Sequence, residues 1–90
     1  MKKQTLHQCN WNEISDFSFY CQFVDAEKDE LLIYADEICS DDYNKIMKTV
    51  TKYQINVFII LVNNSGSIPT ISHQQWVELT EKFEKIYTWK

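Results

Sequence analysis

The chain reads as an α+β protein: a small two-layer α/β sandwich with a mixed three-stranded sheet, elements in the order β-β-α-β-α, helices on one face, and an N-terminal arm. Three stretches of sequence predict it. Residues 55–62, INVFIILV, form a nearly continuous β-branched and aromatic run of the kind found in strands covered on both faces or lying at the centre of a sheet. Ser72 and Gln75 make a capping box, and Ile71 and Trp76 flank it as a hydrophobic staple at a helix start. Phe17, Phe19, Cys21 and Phe23 alternate with Ser18, Tyr20 and Gln22, which is the period of a half-buried strand.

Taken in order, residues 1–16 carry Leu6, Cys9, Trp11 and Ile14 at a spacing that fits neither helix nor strand, so they read as an irregular arm or a short helix. Residues 17–90 then form one α/β domain. The strand over 17–24 is followed by a polar loop, Asp25 to Glu30, and a second β-prone run, Leu31 to Ala35, so the pair is expected to be an antiparallel hairpin. Ser40 fits a helix N-cap, with Asp41 and Asp42 in the first turn and Tyr43, Ile46, Met47 and Val50 on one face, giving a helix over about 41–53. The core strand 55–62 comes next. A second helix from Ser72 buries Trp76, Leu79, Phe83 and Ile86, carries the pairs Glu78 to Lys82 and Glu81 to Lys85, and ends near Tyr87 or Thr88. One core should then gather Phe19, Phe23, Ile46, Val50, Phe58, Ile60, Trp76, Leu79 and Phe83.

Composition narrows the function classes. Ninety residues allow one modest core and no separate catalytic lobe. The longest apolar run is far below the roughly 20 residues a membrane-spanning helix needs, so no membrane association is expected. Three cysteines with no Cys-x-x-Cys pair, and no charged-then-apolar leader, point to reduced thiols in a cytoplasmic protein. The net charge is −4 and every cation is a lysine, which removes the bidentate grip on phosphate or guanine that arginine supplies. Lys45, Lys48 and Lys52 then read as a solvated helix face, and nucleic acid is not an expected partner.

No catalytic set assembles in the sequence. His7-x-Cys9 is the closest pair of metal-ligand types, and zinc sites usually draw on two such pairs, so neither metal nor other cofactor is expected. Cys21 falls on an apolar face. Cys39, just before a helix, is the better nucleophile, but Asp36, Glu37, Asp41 and Asp42 around it oppose a thiolate, which leaves a cysteine-dependent enzyme as a minor alternative. The loop Asn63-Asn64-Ser65-Gly66-Ser67 lacks the pattern of a phosphate-binding loop and reads as a plain connection.

Charge is the remaining signal. Residues 25–42 hold eight acids against Lys28, a local charge of −7 that leaves +3 on the rest of the chain. Such polarity suits a small acidic module that docks on a protein with a basic surface, and in size and charge the chain is similar to inhibitors of the immunity-protein, antitoxin and phage anti-defence types. The expected contact residues are Asp25, Glu27, Asp29, Glu30, Asp36 and Glu37, with Tyr20 and Tyr34 as aromatic anchors. The alternative is a structural domain that homodimerises through a strand edge or through the aromatic ends around Trp11 and Trp89.

Overall fold

A computed structural model of the chain describes residues 3–63 and 68–89. Seven elements alternate strictly: β1 (Lys3–Asn10), α1 (Phe17–Cys21), β2 (Glu30–Ala35), α2 (Ser40–Lys52), β3 (Val57–Leu61), α3 (His73–Thr80) and β4 (Phe83–Thr88). The four strands are all parallel and form one sheet in the order β3-β2-β1-β4. The sheet is therefore neither three-stranded nor mixed, and the expected hairpin is a β2 preceded by a helix. The residues expected to form an arm supply β1, a central strand. Of the loop 63–67, residues 64–67 lie outside the described residues.

Parallel strands need helical crossovers, and the strand order decides which face each helix covers. The chain steps from β1 to β2 to β3 in one direction and then returns past both to the far side of β1. Helices α1 and α2 consequently pack on one face, where Phe17, Cys21, Ile46 and Val50 meet Cys9, Leu31, Ile33 and Ile59. Helix α3 covers the other, where Leu79 and Trp76 meet Leu6, Leu32, Ile60 and Phe83. The expectation of helices on one face and one shared core gives way to three layers and two cores. Strand β2 is wrapped on both sides, so Leu31, Leu32 and Ile33 are all fully buried. The run 55–62, expected to be covered on both faces or central, contains β3, which lies at the edge of the sheet and is covered on both faces, with Ile59 in one core and Ile60 in the other.

Helix α1 occupies the segment that alternates like a strand. Its N-cap is Asp16, whose side chain accepts the Phe19 N–H, and Phe17 and Cys21 face the core one turn apart while Phe19 and Phe23 face out. Helix α2 starts at Ser40 itself, with Cys39 at the N-cap and no side-chain cap. It ends in a Schellman arrangement: Ile55 N–H bonds Val50 C=O, Gln54 N–H bonds Thr51 C=O, and Gln54 sits at φ 58°. The capping box of α3 is present as read, Ser72 and Gln75 each accepting from the other's backbone. That helix ends at Thr80. Lys82 and Lys85 lie beyond it, and residues 83–88 form β4.

Candidate functional site

Two of the concave surfaces formed by the described residues carry polar side chains of interest, and a buried polar cluster lies under the larger of these two. That one is a groove of about 840 Å³ between α1 and β4. Helix α1 covers β1 but leaves β4 open on its groove face, so Phe19, Phe23 and Tyr87 stand exposed along it, while Ile86, level with Leu6, is exposed on the opposite face of β4. Its floor is formed by Thr5, His7, Asp29 and Trp89.

The floor is a closed hydrogen-bond network. Trp89 Nε1–H can only donate, and it lies 3.0 Å from His7 Nδ1, so that nitrogen carries a lone pair. The ring proton is then on Nε2, which donates to Asp29 Oδ2 at 3.1 Å. Asp29 also accepts the backbone N–H groups of Thr5 and Asp25. Both imidazole nitrogens are engaged, which leaves neither for a substrate in this arrangement. Rings close the site further: Trp89 stacks on Tyr20 with centroids 5.1 Å apart, and Tyr87 meets His7 edge-on at 5.9 Å. The network ties the chain's end, the start of β1 and the loop 25–29 together.

Two of the three thiols are buried and hard to ionise. Burial pushes Cys9 up to about 12, helped by the neighbouring Cys21, and burial alone does the same to Cys21. Cys39 is exposed at the start of α2. Among the described residues no three histidine, cysteine or carboxylate side chains converge in a way that could hold a metal ion. No described helix is long and apolar enough to cross a membrane.

The second surface is a crevice of about 340 Å³ at the carboxyl ends of β1, β2 and β3, closed on one side by the start of α3. Open α/β sheets place ligands at this end. Glu13 and Asp36 line it with Asn10, Asn12, His73 and Trp76, and Tyr34 stacks on Trp76 with centroids 5.6 Å apart. Asp16, Glu37, Asp41 and Asp42 lie in the loops and first helical turn at the same end, and the described residues there include no lysine.

These positions divide the acids expected to act together. Asp36 and Glu37 follow β2, whereas Asp25, Glu27, Asp29 and Glu30 precede or begin it, roughly 20 Å away along the strand. The second group is mixed with Lys28 and Lys52 and is partly committed. Asp29 is buried in the network above, Asp25 accepts the Glu27 N–H, and Glu30 accepts from Asn56. Tyr20 belongs to the groove and Tyr34 to the crevice, both half-buried. Trp11 packs on the core and donates to Asp42 at 3.4 Å, and Trp89 is buried, so neither is a free aromatic end. Glu13, Asp16 and Trp76 were not legible as site residues, because a sequence does not say which loops share an end of a parallel sheet. No protein-family model, no curated protein and no solved structure matches the chain.

Proposed function

We propose that this protein is a non-enzymatic binding module that docks on a partner protein by taking one of the partner's basic side chains into the crevice at the carboxyl ends of β1–β3. The observation that carries this reading is the pairing of carboxylates and stacked aromatics in one concavity: Glu13 and Asp36 beside Tyr34 and Trp76. A lysine or arginine entering there gains opposite charge and a ring face to lie on. The surrounding Asp16, Glu37, Asp41 and Asp42 add a field that attracts a basic surface before contact. A module of this kind works by occupancy. Seated on a basic catalytic or nucleic-acid-binding site, it would act as an inhibitor of the immunity-protein, antitoxin or anti-defence type.

The test begins with a photo-crosslinking residue at Asn12, on the crevice rim, and a control at Val77, exposed on the outer side of α3. With the partner trapped from Asn12, association is followed as a function of salt for the native protein and for Asp36→Lys with Glu37→Lys. The expected result is slower association and a flatter salt dependence in the variant, with helical and strand content unchanged. Equal rates at low salt would overturn the reading.

A further inference from the structure

We propose that the open edge of β4 pairs antiparallel with β4 of a second copy of this chain, in the register that sets Ile86 opposite itself. The two edges of the sheet are β3 and β4. Strand β3 is protected: the 68–72 segment runs beside it, and Ile71 N–H bonds the outward Ile59 C=O. Among the described residues nothing pairs with the outer side of β4. Among the described residues six large hydrophobic ones stand exposed, and four of these lie on β4 or on the α1 face beside it: Phe19, Phe23, Ile86 and Tyr87. An unprotected edge and an apolar strip coincide, which is the combination folded proteins normally avoid unless it is covered.

The strand itself indicates what covers it. Trp89 N–H bonds Gln8 C=O and Gln8 lies opposite Thr88, so residues 87 and 89 direct their backbone groups toward β1. Alternation leaves Glu84, Ile86 and Thr88 facing the open side. A two-fold axis normal to the sheet keeps each copy's groove on the same face, and directly opposed residues must then have the same parity. Centring the axis on Glu84 or on Lys85 sets like charges against each other. Centring it on Tyr87 overlaps only residues 86–88 of the strand. Centring it on Ile86 overlaps 84–88, sets Glu84 against Thr88 and Lys85 against Tyr87, and opposes no like charges. The local charge agrees: Glu81, Lys82, Glu84 and Lys85 cancel, on a molecule whose net charge is −4. A strongly basic or acidic partner gains little there, whereas an identical edge is complementary. The two α1–β4 grooves meet at the seam, where Phe19 and Phe23 of each copy are covered.

Two measurements test this. Sedimentation equilibrium from micromolar to millimolar protein should show the mass rising from 10.8 kDa toward twice that value. Ile86→Lys, which sets two ammonium groups face to face, should hold it at the monomer value with an unchanged circular dichroism spectrum. The second places Ile86→Cys in a Cys39→Ser background. Opposed Cα atoms of a hydrogen-bonded antiparallel pair lie about 5.5 Å apart, within disulfide reach. Mild oxidation should link Ile86→Cys into a covalent dimer much faster than Val77→Cys in the same background. A native mass that stays at the monomer value, or equal linking at the two positions, would overturn the proposal. Ile86→Lys should leave crosslinking from Asn12 intact and Asp36→Lys should leave the mass unchanged, so either reading can fail alone.

Discussion

The indole N–H of Trp89 donates to Nδ1 of His7 at 3.0 Å, joining the second-last residue of the chain to its first strand. This bond fixes the tautomer of a buried imidazole, and the imidazole in turn presents its one proton to Asp29. Trp89→Phe keeps most of the ring that stacks on Tyr20 but leaves His7 Nδ1 as an unpaired buried acceptor. It should cost about 1–3 kcal/mol, read as a lower urea midpoint with an unchanged slope. A change below about 0.5 kcal/mol would mean that water replaces the indole.

Asp29 and Glu27 look alike in sequence, two acids of one polar loop, and they should behave oppositely. Asp29 accepts from Thr5, Asp25 and His7, so Asp29→Asn weakens three bonds to a buried carboxylate and should lower stability by about 1–3 kcal/mol. Glu27 is exposed, and Glu27→Gln should stay within about 0.5 kcal/mol. Thermal melts of the two variants make the comparison directly.

Gln54 closes α2 in the left-handed region that a side chain disfavours. The chain has one glycine, and it is elsewhere. Gln54→Gly relieves the Cβ contact while keeping both Schellman bonds, and it should raise stability by about 1 kcal/mol in chemical denaturation. A loss would show that the side chain holds more than the backbone spends.

The elements that sequence made legible are those with one unambiguous local signal. The capping box of Ser72 and Gln75 located the start of α3, and the face of Ile46 and Val50 located α2. Helix α1 was hidden because four alternating apolar residues are also two i, i+4 pairs. Phe17 and Cys21 form the buried pair, Phe19 and Phe23 the exposed one, and the Asp16 cap was the signal that separates the readings. Strand β1 was hidden because His7 is buried through hydrogen bonds, so a polar letter stands where the pattern needs an apolar one. Strand β4 was hidden because Lys82 and Lys85 complete helical charge pairs with Glu78 and Glu81 that the fold does not use. With β1 and β4 unread, strand order could not be derived, and neither could the grouping of Glu13, Asp36 and Trp76. That grouping depends on three loops meeting at one end of a parallel sheet.

The buried thiols give a pH signature whose sign follows from their direction of shift. Cys9 and Cys21 are raised from an ordinary 9.0 to about 12 in the folded protein, because burial penalises the thiolate. Below about pH 9 both states are protonated and the shift has no effect. Between about pH 9 and pH 12 the unfolded chain loses these protons while the folded one keeps them, so stability falls as pH rises, by about 1.4 kcal/mol per unit for each thiol. The slope of the native protein alone does not identify the groups. The double variant Cys9→Ala, Cys21→Ala isolates them: it should be less stable at neutral pH, from the small cavities it leaves, yet lose stability more gradually above about pH 9. Urea denaturation of both proteins at neutral and alkaline pH supplies the four values needed. Parallel slopes would show that the thiols reach solvent before the fold opens, and that the packing of α1 against β1 is looser than the burial of Cys21 implies.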